Sequence, residues 1–438
     1  MTTIIDKGGS PSVPATGKNG RVKTLIGGSI GHFIEWFDWA IYGLMASVIA
    51  GQMFPAADPA VSLIASLSAF AIGFIGRPIG AIILSPMADK YGRRTLLAAT
   101  IIMSGAGSLF IGLCPNYAQI GILAPVIIVL SRLLQGFAGG AEYQISATFL
   151  NEHASVKHRA FAASPQQVAI GLSVLAATAV ATLTTKYFSP ETLEAWGWRV
   201  PYLIGAALSV YGFFMRRGLD ETPAFEANAK LMANRSIGSI LAAVAKYPKE
   251  TLIVFVMQMN GVLYYLWLIF LPTYANMIGG LDRSDGFAGN MISTVVYIIG
   301  VPLFAYISDR IGRKPLLFAT AVLFLIFVYP LLSLLDGQVS FWTFTFVSAV
   351  GALFLSMNNG VLGTVLSELF PVSVRTSGIG IPYAICAALF GGTAPLMATW
   401  LNGMGGVWYV ALYAMAICVI SIVTHLFLTP ETRGRSLD

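Results

Sequence analysis

Long apolar runs alternate with short polar breaks along the whole chain, and that alternation leaves few folds open. Runs of about 20 residues or more lie near 24–52, 61–88, 95–114, 119–150, 160–185, 199–217, 250–277, 287–308, 315–335, 340–369, 377–400 and 407–429, each long enough to cross a bilayer as α-helix. In lipid every backbone N–H and C=O must be satisfied within the protein, so such a chain folds as a helical bundle. Composition agrees, because 56% of the 438 residues are hydrophobic and only 11% are charged, too few for a soluble protein of this size. The reading is an all-α polytopic membrane protein with twelve transmembrane helices.

Lysine and arginine orient the spans. With both termini cytoplasmic, twenty-one basic residues fall on the inner side and three, Lys186, Arg199 and Arg283, on the outer side, a strong positive-inside bias. The formal net charge of +6 therefore reads as a topology signal; the basic residues form no aromatic-interleaved patch, and no nucleic-acid partner is implied. Residues 1–23, rich in Gly, Pro, Ser, Thr and Lys, read as a disordered cytoplasmic tail without the apolar core of a signal. Residues 218–249 form the one long polar inner connection, part of it a surface helix, between a six-helix bundle at 24–217 and a second at 250–429. Residues 430–438 are a second cytoplasmic tail. Cys114, Cys386 and Cys418 lie in apolar runs without paired spacing and read as packing residues.

The two bundles are repeats of one another. Asp89-Lys-Tyr-Gly-Arg-Arg94 returns as Asp309-Arg-Ile-Gly-Arg-Lys314, the pair Glu152 and Arg159 returns as Glu368 and Arg375, and Asp220-Glu-Thr-Pro223 returns as Pro430-Glu-Thr-Arg433. Parallel halves with a site between them are the plan of many secondary transporters. In each loop a glycine (Gly92, Gly312) allows a sharp turn, and the acid (Asp89, Asp309) with its neighbouring arginine (Arg93, Arg313) is placed to hold a helix end. A state-dependent break there would let the halves rock. The alternative is topology signalling alone, which requires neither acid nor glycine.

Ionisable residues at membrane depth are costly and mark proton or substrate pathways. Glu35 and Asp38 stand one turn apart in helix 1, with Arg77 in helix 2 and Arg132 in helix 4 as partners and Glu142 about three turns from Arg132. Asp38 and Arg132 read either as a buried pair whose proton occupancy changes or as a static link between helices. Arg77 reads as an anchor for a substrate carboxylate or as a partner of Glu142 or Glu35. His32 reads as a satisfied core histidine, because no further His or Cys is near enough to make a metal site, and His153 and His158 as solvated loop residues. The second half offers polar and aromatic groups instead: Gln258, Tyr264, Asn358, Asn359 and Tyr383, each a ligand contact or interhelical glue. No serine elbow, paired-His metal motif or phosphate loop appears, so neither an enzyme nor a cofactor is indicated.

Asp89 to Arg94 and its copy resemble the loop signature of the major facilitator superfamily, with Ser85 and Ala305 where glycine is usual. Arg132-Leu-Leu-Gln-Gly136 resembles its helix 4 motif, and Pro430-Glu-Thr-Arg-Gly434 the end of its sugar-porter-like branch. Glu35-Trp-Phe-Asp38, Gly76-Arg-Pro-Ile-Gly80, Glu142-Tyr143, Trp196-Gly-Trp-Arg-Val-Pro201 and Leu219-Asp-Glu-Thr-Pro-Ala-Phe225 together resemble the metabolite:proton symporter family. That resemblance implies a bacterial inner-membrane protein importing a small organic acid with protons, monomer sufficient, and Asp38 with Arg132 as the coupling pair. From the residues themselves, substrate is expected near Arg77, Arg132 and Glu142, opposite Gln258, Tyr264, Asn358, Asn359 and Tyr383. A proline or betaine carrier belongs to the same family. A proton-driven exporter shares the fold, but Phe161 to Thr185 lacks the exporters' Gly-Pro and double-glycine pattern.

Overall fold

The structure is a computed structural model that describes residues 18–57, 59–152, 154, 156–218, 221 and 237–435; most of the expected tails and residues 222–236 of the connection lie outside that set. Among the described residues there are twelve long helices. The first half has α1 (Lys18–Met53), α2 (Pro59–Tyr91), α3 (Arg93–Leu113), α4 (Leu123–Glu152), α5 (Arg159–Tyr187) and α6 (Val200–Arg217). The second has α7 (Pro248–Gly279), α8 (Arg283–Ile311), α9 (Lys314–Ser333), α10 (Phe341–Leu369), α11 (Arg375–Gly405) and α12 (Val407–Phe427). Ten are long and apolar enough to cross a membrane by length and composition; α1, which carries Glu35 and Asp38, and the 18-residue α6 complete the twelve. α1 reaches back to Lys18, beyond the expected start at 24.

Both halves are built by the same pairings: α2 packs on α4 as α8 packs on α10, and α3 on α6 as α9 on α12. Glycine sets the closest of these. A Cβ at Gly76 would lie 2.6 Å from the Leu133 carbonyl oxygen, and one at Gly360 would lie 2.7 Å from that of Val301, so backbone meets backbone where side-chain volume is missing. Across the halves, α2 meets α11 and α5 meets α8. The repeated loops adopt the same turn, with Gly92 at φ 101° and Gly312 at φ 109°, a region that L side chains avoid.

Helices α7 and α11 are not regular. A π-helical turn at Tyr265–Phe270 interrupts the first and another at Ala387–Gly391 the second, each inserting extra backbone that re-aims the side chains around it. The short helix Ile237–Val244, within the expected connection, packs against α2 and α11.

Candidate functional site

A small cavity lies between the halves. Trp36, Tyr143 and Gln167 line it from the first half, and Gln258, Tyr264, Tyr265, Asn358, Asn359 and Tyr383 from the second. The five second-half residues singled out in the sequence therefore share one wall. Rings from both halves meet across it: Trp36 stands edge-on to Tyr264 at 5.4 Å, and Tyr143 stacks on Tyr383 at 4.5 Å. The π turn in α7 begins at Tyr265, which lies against α11 where Gly391 leaves room; a Cβ there would be 2.7 Å from the ring. Among the described residues, none of the lining side chains is charged. Arg77, Arg132 and Glu142, expected near substrate, do not line the cavity and sit inside the first bundle.

Arg77 pairs with Glu35 at 2.9 Å, which decides between its candidate partners, and its guanidinium lies 4.8 Å from the Phe74 ring centre and 4.9 Å from that of Trp39. The expected Asp38 and Arg132 pair differs from the sequence reading: among the described residues, Asp38 and Arg132 each have other partners. Asp38 Oδ2 accepts from Ser108 Oγ and, at 3.3 Å, from Gln135 Nε2. Arg132 instead lies over the Tyr42 ring at 3.9 Å and donates to the Tyr202 hydroxyl at 3.5 Å. An aromatic face thus holds the cation, and a hydroxyl and an amide hold the anion. Glu142 pairs with neither expected arginine. Arg216, one of the twenty-one inner-side cations counted from sequence and the second-last residue of the 199–217 run, is fully buried and forms a two-pronged pair with Glu142, whose Oε2 also accepts from Thr100 Oγ1 at 2.5 Å.

Glycines on facing helices make room for these charges. A Cβ at Gly31 would collide with the Arg216 guanidinium, one at Gly205 with Asp38 Oδ1, and one at Gly139 would sit 2.5 Å from Glu35 Oε1. His32, expected to be a satisfied core residue, is buried with both ring nitrogens lacking a hydrogen-bond partner among the described residues, its ring 5.3 Å from that of Tyr143. His158 is exposed, and His153 lies outside the described residues.

At the end of the bundle bearing the repeated loops, the basic face, the halves are tied together. Arg159 pairs with Glu368 at 2.8 Å across the interface. Asp309 accepts from the backbone N–H of Ala160 at 3.2 Å and of Phe161 at 3.0 Å, at the start of α5, and Asp89 accepts from Ser377 Oγ at 2.8 Å, at the start of α11. Within each half, Arg93 pairs with Asp89 at 3.5 Å and Arg313 with Asp309 at 2.7 Å. Arg375 is buried and donates to the Phe370 carbonyl at 3.2 Å; the Glu152 side chain lies outside the described residues.

The repeated Glu-Thr segments have a structural role that sequence reasoning missed. The Glu221 carboxylate accepts from the N–H groups of Arg93 and Arg94, both at 3.1 Å, and Glu431 accepts from those of Arg313 at 3.0 Å and Lys314 at 3.2 Å. Each glutamate caps the helix that follows its loop glycine, where the backbone donors are otherwise unmet. Gln167 and Tyr297 were missed as well: Tyr297 donates to Gln167 Oε1 at 3.1 Å and accepts from Asn359 Nδ2 at 2.9 Å, joining the halves beside the cavity. The spacing of Glu221 and Glu431 carried a signal in the repeat; two uncharged residues inside apolar runs carried none.

A family model described as "Sugar (and other) transporter" matches residues 24–237 and 226–438. The chain is 32% identical over 423 residues to a citrate-proton symporter of Salmonella typhi, spanning 94% of this chain and 96% of that one. It is also 32% identical over 422 residues to a putative proline/betaine transporter of Staphylococcus haemolyticus, spanning 95% and 89%. Among solved structures, the proton:xylose symporter XylE bound to 6-bromo-6-deoxy-D-glucose matches with a TM-score of 0.80 and 17% identity over 96% of this chain and 98% of that one.

Proposed function

Because the chain belongs to the major facilitator superfamily, in its metabolite:proton symporter family, we propose that it carries a small organic acid with protons into the cell by alternating access. The observation that carries this reading is the cavity between the halves, lined from both and flanked by the buried carboxylates of α1. Substrate enters between the aromatic walls and takes hydrogen bonds from the amides of Gln167, Gln258, Asn358 and Asn359. Trp36 lies beside the Arg77 guanidinium, 6.0 Å from its ring centre, so a small movement of that ring brings a cation within reach of a substrate carboxylate. Asp38 and Glu35 exchange the coupled proton. The basic face is cytoplasmic, and its cross-half ties hold the protein closed on that side until the halves rock.

A zwitterion such as proline or betaine is the second reading, favoured by the uncharged lining with its tyrosine and tryptophan rings, which suits an ammonium group as well as it suits an acid. Uptake into proteoliposomes of di- and tricarboxylates, aromatic acids, proline and betaine, with and without an inward proton gradient, tests both. Gradient-dependent accumulation of an acid supports the first reading, and betaine uptake that dicarboxylates do not compete supports the second. Proton-driven loss of a preloaded compound, with no accumulation of any, overturns both in favour of export.

A further inference from the structure

A second, smaller chamber lies within the first bundle, between α1, α3 and α4, and the substrate cavity shares no lining residue with it. Its polar lining is Glu35, Thr100, Ser104 and Glu142. Two of these groups, Glu35 Oε2 and Ser104 Oγ, lack a partner among the described residues, and both side chains are more than nine-tenths buried. A space about the size of one water molecule, beside unmet polar atoms, is where a protein holds a single water. Toward the basic face, Arg216 closes it, bonding to Glu142 and to the carbonyl oxygens of Leu97, at 2.5 Å, and Gly27, at 3.4 Å.

We propose that this chamber is the proton's exit route from Glu35 to the basic face, separate from the path taken by substrate, with the Glu142 and Arg216 pair as its plug. The proton leaves the Glu35 carboxyl, water in the chamber takes it up while passing another on, and a Glu142 oxygen receives that one. Glu142 becomes neutral and its hold on Arg216 slackens. The proton then leaves Glu142 for bulk water and the ion pair re-forms. Nothing but a proton is transferred, and both carboxyls end where the cycle needs them.

The groups around Glu35 fit a directed step. On its own helix stands Asp38, on α2 Arg77, on α4 Glu142 and on α6 Arg216, with His32 one turn away along α1; Tyr265 and Tyr383 face it from the second half, and α3 presents only the hydroxyls of Thr100 and Ser104. Arg77 occupies one Glu35 oxygen, at 2.9 Å, and the other has no partner among the described residues. Because the route runs within one half, it does not require the cross-half ties to break.

This route rests on the proton-coupled reading above, so one test is independent of transport. Ser104→Cys is expected to be oxidised by hydrogen peroxide, a reagent little larger than water, at least tenfold faster than the buried native Cys114, Cys386 and Cys418; an introduced thiol that stays unoxidised overturns the chamber. In proteoliposomes, with citrate and glycine betaine as probes, Ser104→Leu fills the chamber without removing a charge. Substrate exchange at equal pH is expected to stay near the wild-type rate while gradient-driven accumulation falls at least tenfold; equal loss of both, or loss of neither, overturns the route. Should Ser104→Leu fail to fold, Glu142→Asp, which keeps the charge facing Arg216 but shortens the relay, is expected to give the same split. Wild-type protein that accumulates neither probe rejects the transport reading instead, and the oxidation result still judges the chamber.

Discussion

Glu368→Gln removes the charge from one of the contacts that tie the halves together at the basic face and leaves its shape. In the wild type, the Glu368 carboxylate takes Arg159 of the other half at 2.8 Å and, from its own half, Thr432 Oγ1 at 2.6 Å and Arg313 at 3.6 Å. On the alternating-access proposal, the two contacts within the second half persist when the halves separate and cancel from the equilibrium between open and closed, whereas the Arg159 contact, almost fully buried with side-chain exposures of 2% and 0%, is lost. The glutamine oxygen can still accept from Arg159, which also keeps its bond to the Arg435 carbonyl at 2.9 Å, so the loss is the charged part of one hydrogen bond, about 1–1.5 kcal/mol. That shifts the closed-to-open ratio by roughly 5- to 12-fold.

The assay is thiol labelling of Ala147→Cys. Ala147 is fully buried on α4 and faces α10, where a Cβ on Gly363 would lie 4.0 Å from it. Glu368→Gln is expected to raise the labelling rate from the basic face by that factor. Arg159→Gln is expected to do the same, and the double variant little more, because one contact cannot be removed twice. Unchanged labelling in Glu368→Gln, or fully additive effects in the double variant, would refute the view that this pair sets the equilibrium.

Three further outcomes are expected. Gly205→Ala pushes a methyl group into Asp38 Oδ1 and should lower gradient-driven uptake at least tenfold with normal yield of folded protein, whereas the same effect from Ala206→Gly would argue against a local cause. Gly312→Ala forces a side chain onto φ 109° and against the Glu431 carboxylate; a cost of about 1–2 kcal/mol should appear as a lower melting temperature in detergent, with Gly92→Ala behaving alike. For Glu431, burial opposes its charge, but the N–H groups of Arg313, Arg433, Lys314 and Thr432 outweigh it and hold its pKa below the ordinary glutamate range. A depressed folded pKa contributes stability that is present above the unfolded value and fades as pH falls through the folded one. Wild-type thermal stability should therefore drop on acidification through and below the ordinary glutamate range, and Glu431→Gln should be less stable at neutral pH with a flatter acid limb.

Hydropathy and spacing alone make much of this protein legible. A run of about 20 apolar residues has one stable arrangement in lipid, so the helix count follows from the pattern; Gly92 and Gly312 announce a positive-φ turn because other residues are strained there. Recurrence of Glu221 as Glu431 marked a repeated part, though not its use as a helix cap, since a cap is defined by where a distant backbone places its N–H groups. Its place at the inner end of the 199–217 run marks Arg216 as a topology cation, but a long side chain can turn inward, and Glu142 with the gap left by Gly31 draws it there. The same limit applied to Asp38 and Arg132: charge type says that each needs a partner, and only packing assigns Ser108 and Gln135 to one and the Tyr42 ring to the other. Sequence by itself determined the helices, their duplication and the residues that are costly to bury. Tertiary structure decided who neutralises whom, because those contacts form between helices far apart along the chain and depend on angstrom-scale fits that composition and spacing do not encode.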